Sequence, residues 1–189
     1  NIEPIIVITK TDLQKNDVIK KIYNSAGIKV LMIDYTKENC IDELNDILAG
    51  KLSAFTGNSG VGKSTLLNHI DSTLSIETNE ISKKLGRGKH TTRQVEIYQL
   101  KNGGYIADTP GFSTFETNKY DIILKEDLSS CFREFSDYSN NCRFHDCSHT
   151  KEKGCAVIEA VNEGKIAKTR HDSYVLMYDE AKQIKEWEI

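Results

Sequence analysis

The 189-residue sequence lacks most features that would assign a protein to a membrane or to a polyanionic partner. No apolar run approaches the length of a transmembrane helix, so we expect no membrane partner. The formal net charge of −3 gives no general attraction to nucleic acid, and an RNA partner would need a local basic patch. Aromatic residues make up only 8%, enough for a lean core. No secretory signal is present, but the chain starts at Asn1, so we suspect that sequence precedes it.

An even set of cysteines, typical of a disulfide framework, is also lacking. The sequence has 5 cysteines, and three of them lie close together beside histidines. This pattern favours a metal site in a reducing compartment, so we expect a cytoplasmic protein. The chain length suits one medium domain, or one with a small satellite, and we expect a monomer.

A phosphate-binding loop is the most specific motif present. The segment GNSGVGKS at 57–64 is a complete G-x-x-x-x-G-K-[ST] match, with a strand pattern before it and a helix pattern after it. In that setting backbone N–H groups surround a phosphate at a helix N-terminus, Lys63 reaches the β- and γ-phosphates, and Ser64 ligates Mg²⁺. The predicted nucleotide-binding residues here are Gly57, Asn58, Ser59, Gly60, Val61, Gly62, Lys63, Ser64 and Thr65.

A second motif, D-x-x-G, follows a short strand pattern at Asp108–Gly111. At this position Asp108 would hold Mg²⁺ through water, and the Gly111 N–H would contact the γ-phosphate. Phe112 occupies the position where many GTPases keep a glutamine that orients the attacking water. Because a phenyl ring cannot orient water, we expect another group to do so.

The stretch between these two motifs has the composition of a switch loop. It is polar and ends in His90, Thr91 and Thr92 before a β-type run, and its basic residues are Lys83, Lys84, Arg87 and Lys89. A threonine in such a loop can close on Mg²⁺ and the γ-phosphate. We predict Thr92 as a Mg²⁺ ligand beside Ser64 and Asp108, with Thr91 as the alternative. Taken alone, His90 is more often a solvated loop histidine.

Two segments compete as the guanine-reading motif. Thr9-Lys10-Thr11-Asp12 follows the apolar run Ile5–Ile8, at the strand end where open α/β sheets bind ligands. Asn118–Asp121 is a literal N-K-x-D, but no strand pattern precedes it, and we interpret it as a decoy. We therefore predict that Thr9, Lys10 and Asp12 bind the nucleotide. Asp12 would accept hydrogen bonds from the guanine N1–H and exocyclic amine, a donor pair that adenine lacks.

The order of predicted elements places the guanine motif before the phosphate loop. A helix at 17–26, a strand at 28–33 and a helix at 41–48 lie between the two motifs. This alternation predicts an α/β fold of the P-loop NTPase type, with a doubly wound, mostly parallel sheet in circularly permuted order.

With TKTD, GNSGVGKST, GRGKHTTR and DTPGF in this order, the chain resembles the circularly permuted ribosome-small-subunit-dependent GTPase A family over essentially its whole length. The resemblance implies a GTPase domain at 1–121 and a helical zinc-binding domain at 122–189, and the family normally has an oligonucleotide-binding barrel before both. It also implies that His90 arranges the attacking water. The catalytic set is then His90, Lys63, Thr91, Thr92 and Gly111. This chain departs from the family at Asp34-Tyr35-Thr36. At these positions the family tends to have a Ser-Ala-like loop that contacts guanine.

The family's zinc cluster matches the segment CRFHDCSHTKEKGC at 142–155. Three thiolates and one imidazole form a closed tetrahedral set that is typical of structural zinc. The implied ligands are Cys142, Cys147, His149 and Cys155. His145 is the rival ligand, although it lies too near Cys147 in sequence to share one metal comfortably. Cys40 and Cys131 fall on predicted helices, and we expect them to be small core residues.

These features favour a GTP-hydrolysing switch in late maturation of the small ribosomal subunit, activated by docking on that subunit and its rRNA. Its ligands would be GTP or GDP with Mg²⁺, and structural Zn²⁺. The alternative is a GTP-dependent RNA- or ribosome-binding module in which hydrolysis is incidental. An ATP-using kinase is disfavoured, because ATP would leave the Asp12 carboxylate unpaired.

Overall fold

The computed structural model describes residues 2–14, 16–58, 60–74, 96–108 and 123–184. The strands in these ranges are β1 (Ile5–Ile8), β2 (Lys29–Met32), β3 (Leu52–Ala54), β4 (Glu96–Gln99) and β5 (Tyr105–Asp108). The α-helices are α1 (Asp17–Ser25), α2 (Asp42–Leu48), α3 (Lys63–Ile70), α4 (Lys125–Leu128), α5 (Ser136–Ser139), α6 (Ala156–Asn162) and α7 (Lys168–Ala181). Short 3₁₀ helices are Ser72–Leu74, Ser129–Cys131 and Arg133–Phe135. Among the described helices, none is both long and apolar enough to span a membrane.

Strands and helices alternate from β1 to α3 in the order that the sequence predicts. Each of the predicted elements in this stretch is present, with ends that differ by one or two residues. The chain therefore has mixed α/β content, with the T-K-x-D segment after the first strand and the phosphate loop after the third.

Hydrogen bonds join the described strands into two sheets. One sheet pairs β1 with β2, and the other has the order β3-β5-β4. Strand β3 runs parallel to β5, with Ser53 opposite Ile106. Strand β4 is antiparallel to β5, with Ile97 opposite Ala107. Since these are separate sheets in the described part of the chain, a single doubly wound sheet stays a prediction.

The turn between β4 and β5 is a hairpin, as the Asn102-Gly103-Gly104 segment predicts. The Leu100 N–H donates to the Gly104 carbonyl at 2.8 Å, and the Asn102 side-chain amide donates to the Asn45 carbonyl of α2 at 2.9 Å. A Cβ atom on Gly104 would lie 2.2 Å from the Leu48 carbonyl oxygen, so this close approach admits only glycine. The hairpin is thereby packed tightly against the end of α2.

The chain packs as two compact units. The first contains the described residues within 1–6, 16–30 and 116–189, and the second contains those within 7–15 and 31–115. The division falls inside β1 and inside β2. The first unit therefore joins α1 to the C-terminal helices, an association that chain order does not predict.

The core of the first unit is a cluster of aromatic and aliphatic side chains from the C-terminal helices. The ring of Tyr174 lies edge-on to Phe132 and Phe135, with centroid separations of 5.1 and 4.8 Å. Such edge-to-face packing stabilises aromatic pairs beyond the area that they bury. The buried members of this cluster are Leu128, Phe132, Phe135, Cys155, Val157, Ala160, Ile166 and Tyr174.

The prediction that Cys40 and Cys131 are small core residues on helices is wrong. Cys131 is exposed, and its Sγ lies 3.7 Å from the Asp127 carbonyl at the surface of a 3₁₀ helix. Cys40 is only half-buried and lies in a turn before α2. Cys131 lies in the 3₁₀ helix Ser129–Cys131, and Cys40 lies before the first residue of α2, so neither is on an α-helix.

Candidate functional site

The phosphate loop runs from the end of β3 into the first turn of α3. Gly62 precedes the helix with a left-handed φ of +93°, and Leu66 and Leu67 are buried on the helix. These buried leucines hold α3 in place, so its N-terminus, where backbone N–H groups favour an anion, is fixed beside the loop.

The side chain predicted to reach the phosphates lies inside this loop. The Lys63 ammonium donates to the Gly57 carbonyl and, at 2.9 Å, to the Asn58 carbonyl. Ser64 and Thr65 occupy the first turn of α3, whereas Ser59 lies outside the described residues. The described residues of the predicted phosphate site are therefore 57–58 and 60–65.

The T-K-x-D segment lies beside this loop, although the two are far apart in sequence. The Thr9 hydroxyl donates to the Val61 carbonyl at 2.8 Å across 52 residues. The Thr11 N–H donates to the Ile33 carbonyl at 3.2 Å, and the Ile33 N–H donates to the Ile8 carbonyl at 2.8 Å. These bonds attach the segment to the phosphate loop and to the chain that leaves β2.

The backbone of this segment has an uncommon conformation. Lys10 has a φ of +57°, and its carbonyl accepts the Leu13 N–H at 3.0 Å, which closes a turn around Asp12. Left-handed backbone at a non-glycine residue concentrates at ligand sites, because surrounding contacts must hold it. The competing segment Asn118–Asp121 lies outside the described residues.

The loop after β2 contains the residues at which the chain departs from the family pattern. The Asp34 carboxylate accepts the Thr36 hydroxyl at 2.6 Å and the Thr36 N–H at 3.1 Å, and these bonds lower the pKa of Asp34. The Tyr35 ring lies 4.5 Å from the His69 ring of α3, and burial raises the pKa of Tyr35. Where small residues are expected, an aromatic ring thus contacts the helix that begins at the phosphate loop.

The predicted switch and γ-phosphate residues His90, Thr91, Thr92 and Gly111 lie outside the described residues. Asp108 is the last residue of β5, so its backbone continues the strand that is parallel to β3. The two strands that deliver the phosphate loop and Asp108 are therefore hydrogen-bonded neighbours.

A cluster of cysteine and histidine side chains in the first unit could hold a metal ion. It consists of Cys142, Cys147, His149 and Cys155, and their ligand atoms all lie within 4.8 Å of one another. His149 is 4% exposed and Cys155 is 1% exposed. The rival His145 is exposed and is not part of the cluster.

The separations among three of the four ligand atoms fit a tetrahedral zinc site, and the Cys147 sulfur lies within 4.8 Å of each of them. The Cys142 and Cys155 sulfurs are 3.8 Å apart, and the His149 Nδ1 lies 3.5 Å from the first and 3.4 Å from the second. A tetrahedron with Zn–S bonds of about 2.3 Å and Zn–N bonds of about 2.0–2.1 Å requires sulfur–sulfur edges of about 3.8 Å and sulfur–nitrogen edges of about 3.5 Å. The residues present therefore fit zinc.

Burial shifts the pKa values of three of these ligands. It raises the pKa of the Cys147 thiol, raises that of Cys155 to about 12, and lowers the pKa of His149. A metal must displace the thiol protons when it binds, so its apparent affinity increases with pH.

Three further side chains, which the sequence does not predict, hold the metal-binding loop in place: Glu152, His171 and Tyr174. Glu152 accepts backbone N–H groups of Ser148, Thr150 and Lys151 at 3.0, 3.0 and 3.1 Å. Partial burial raises its pKa, but these bonds and one from the Ser148 hydroxyl outweigh burial and lower the pKa of Glu152 to about 2.

The other two side chains lie on α7. His171 Nε2 contacts the His149 carbonyl at 2.7 Å, and the Tyr174 hydroxyl donates to the Ser148 carbonyl at 2.8 Å. The two residues lie three positions apart on α7, a spacing that places side chains on one face of a helix. The loop is therefore held from α7 as well as by its ligands.

Comparison with known proteins places the chain in a family. The family model described as RsgA GTPase matches residues 1–118. A protein of Caldanaerobacter subterraneus named "Small ribosomal subunit biogenesis GTPase RsgA" is 43% identical over 96% of this chain and 61% of its own length. A protein of Streptococcus pneumoniae with the same name is 44% identical over 98% of this chain and 61% of its own length. The chain thus spans about three fifths of the length of these relatives.

Solved structures agree with this match. The crystal structure of YjeQ from Thermotoga maritima superposes with a TM-score of 0.73 at 34% identity, covering 97% of this chain and 61% of that one. YloQ, described as a circularly permuted GTPase, gives a TM-score of 0.73 at 33% identity, covering 96% of this chain and 58% of that one. The chain belongs to the RsgA GTPase family.

Proposed function

We propose that this chain is a GTP-hydrolysing switch that acts in late maturation of the small ribosomal subunit and is activated by docking on it. The observation that carries this proposal is the hydrogen bond from the Thr9 hydroxyl to the Val61 carbonyl. It joins a guanine-type motif to a phosphate-binding loop that follows it in sequence, as a permuted GTPase requires. The similarity to proteins named small ribosomal subunit biogenesis GTPase supports the partner.

Base recognition and phosphate binding are assigned to separate segments. Asp12 accepts the guanine N1–H and exocyclic amine, with Thr9 and Lys10 beside it, and Lys63 reaches the β- and γ-phosphates. Mg²⁺ would be held by Ser64, by Asp108 through water, and by Thr92 or Thr91, and would neutralise charge on the phosphates. The parallel pairing of β3 with β5 supports this arrangement, because it brings two of these segments to neighbouring strands.

The proposal includes an architecture. A GTPase domain at 1–121 would contain a doubly wound, mostly parallel sheet in circularly permuted order, and a zinc-binding domain would follow at 122–189. The similarity to YloQ, a circularly permuted GTPase, and the β1-to-α3 element order support the permutation. Structural Zn²⁺ would be held by the four-residue cluster at 142–155, and its tetrahedral separations support that assignment.

RNA of the small subunit is the proposed contact, in the cytoplasm and by a monomeric chain. The metal-binding loop supports an RNA partner, because it exposes Arg143, Lys151 and Lys153 together with Phe144, which is 46% exposed. Basic side chains bind phosphates, and an exposed ring can stack on an unpaired base. A local patch of this kind is what a chain with a net charge of −3 needs.

The test is GTP hydrolysis by the chain with its upstream region restored, measured with and without purified small subunits. Multiple-turnover stimulation by subunits supports the switch. Tight GTP-dependent subunit binding without stimulated hydrolysis would instead favour the binding module. Equal affinity for GTP and ATP would overturn the assignment of Asp12.

A further inference from the structure

A buried ion pair in the first unit connects α7 to the 3₁₀ helix before α5. Arg170 Nε donates to one Glu134 oxygen at 2.7 Å, and Nη2 donates to the other at 3.3 Å. The Glu134 side chain is 5% exposed and that of Arg170 is 17% exposed. Two parallel bonds of this kind fix the plane of the guanidinium.

The fixed guanidinium also contacts α1. Its central carbon lies 4.7 Å from the centroid of the Phe132 ring and 5.3 Å from the centroid of the Tyr23 ring. Phe132 belongs to the buried core of the C-terminal helices, whereas Tyr23 is on α1. A guanidinium is attracted to the face of an aromatic ring, so Arg170 connects the metal-bearing module, defined here as residues 123–184, to α1.

A second contact acts on the same helix. Arg133 Nη1 donates to the Gly27 carbonyl at 3.2 Å, just after α1 ends. Helix α1 spans 9 residues and has no fully buried side chain. A helix of that length is marginal by itself in water, so its position depends on such contacts.

From α1 the connection continues to the guanine motif through named bonds. The Tyr23 carbonyl accepts the Ile28 N–H at 2.9 Å, and the Asn24 side chain accepts the Val30 N–H of β2 at 3.1 Å. The chain then continues along β2 to Ile33, whose carbonyl accepts the Thr11 N–H at 3.2 Å. The motif is therefore hydrogen-bonded to the residue that follows β2, and β2 is hydrogen-bonded to Asn24 of α1.

We propose that Arg170 is a positioning residue for guanine recognition: by holding α1, it makes guanine-nucleotide affinity depend on the metal-bearing module. The inference rests on the proposed function, because it needs Thr9–Asp12 to bind the base. It goes beyond the proposed function, because guanine-nucleotide affinity would then depend on the module, which otherwise serves only for docking.

The experiment measures GDP affinity and dissociation rate, amide hydrogen exchange and bound zinc in the zinc-loaded chain and its variants. Tyr23→Leu removes the stacked ring outside the metal-bearing module, and Tyr23→Phe retains it. Arg170→Met with Glu134→Gln removes both charges, so no carboxylate is left buried and unpaired. Lys168→Met is the matched control, since this lysine on the same helix is paired with Asp172 at the surface.

We expect Tyr23→Leu and the double variant to weaken GDP binding on the order of tenfold, within the range typical of coupling between sites. Dissociation should be faster, and exchange at α1 and β2 should increase, while zinc content is unchanged. Tyr23→Phe and Lys168→Met should stay within about twofold of the parent chain. Chelation should weaken GDP binding in the parent chain but add little in Tyr23→Leu, because one connection would already be broken.

Unchanged GDP affinity in Tyr23→Leu, with exchange at α1 increased, would overturn the inference and leave the proposed function standing. If the double variant loses its zinc, the GDP affinity of Tyr23→Leu tests the inference instead, because Tyr23 lies outside the metal-bearing module. A parent chain that binds neither GDP nor GTP would overturn the proposed function, and the inference with it.

Discussion

At the residue scale, Thr9 and Asp12 have separate roles in the proposed guanine motif. Thr9 uses its hydroxyl on the Val61 carbonyl, so it holds the motif against the phosphate loop. Lys10 has a left-handed backbone conformation, which turns the chain sharply before Asp12. These are separable roles, because only the Asp12 carboxylate has the acceptor pair that guanine needs.

Asp12→Asn should weaken GTP binding at least about a hundredfold, because an amide cannot accept both guanine donors and leaves a polar mismatch with the base. Asp121→Asn is the matched control and should leave affinity nearly unchanged. Fluorescent-nucleotide titration measures both. Xanthosine triphosphate, which carries a carbonyl in place of the exocyclic amine, should bind Asp12→Asn better than GTP does. Loss of GTP binding on changing Asp121 alone would contradict the permuted interpretation.

Asp71 is a second residue with a testable role, in this case structural. It is 3% exposed and accepts the Thr73 hydroxyl at 2.6 Å and the Thr73 N–H at 2.9 Å, while Lys101 Nζ lies 3.3 Å away. The Thr73 bonds first, and Lys101 second, outweigh burial and hold the pKa of Asp71 at about 2. The carboxylate thereby connects the end of α3 to the β4–β5 turn.

Because its pKa is depressed in the folded state, Asp71 stabilises the fold fully above its ordinary pKa of about 3.9. That contribution is lost as the pH falls from about 4 towards 2. Asp71→Asn should therefore lower the urea midpoint at pH 7 and differ less from the parent chain near pH 3. Asp46→Asn, at an exposed position of α2, is the control. An equal deficit at both pH values would show that the charge is not responsible.

At the element scale, the metal-binding loop is held in place by more than its four ligands. Glu152 organises the turn at 148–151, and His171 and Tyr174 hold two of its carbonyls from α7. Outer contacts of this kind orient metal ligands and are needed for tight binding. The loop and α7 therefore form one folding element once the metal is bound.

His149→Ala should reduce bound zinc below one equivalent and expose the C-terminal helices to proteolysis, since the loss of one ligand opens a closed structural site. His145→Ala, at an exposed neighbouring histidine, should retain full metal content. Metal analysis by mass spectrometry and a zinc-release titration measure the two variants. Full zinc content in His149→Ala with loss in His145→Ala would reverse the ligand assignment.

The elements also show what can be predicted from sequence. The β-branched run at Ile5–Ile8 and the phosphate-loop pattern identify their elements because both signals are local. The cysteine–histidine cluster was identified because the resemblance provided its spacing. Glu152 could not be identified, because its acceptor role depends on a turn whose N–H groups converge only after folding. The contact of Arg170 with Tyr23 was missed for the same reason, since residues so distant in sequence carry no shared periodicity.

At the scale of the whole molecule, sequence order and packing divide the chain differently. The permuted motif order assigns everything before the D-x-x-G segment to nucleotide binding, yet α1 packs in the unit that carries the metal cluster. The strands β1 and β2 each belong partly to both units, and the coupling proposed above runs along this continuous backbone.

Under the proposed function, catalysis is the property that depends most on the assembled molecule. Phe112 provides no polar group to orient the attacking water, so the free chain should hydrolyse GTP slowly. The family resemblance assigns that task to His90, which lies in a polar stretch next to Lys89 and Arg87. Contacts between these cations and RNA phosphates on the subunit would bring the stretch into position.

His90→Ala should leave GTP affinity intact and reduce subunit-stimulated turnover on the order of 10²-fold, the effect of removing one positioned polar group. The slow basal rate should change little, because the histidine acts only in the docked state. His90→Gln is the matched variant and should recover part of the stimulation, since a side-chain amide can orient water. Single-turnover hydrolysis with saturating subunits measures all three chains. A stimulated rate of His90→Ala within about twofold of the parent would show that the subunit itself positions the water.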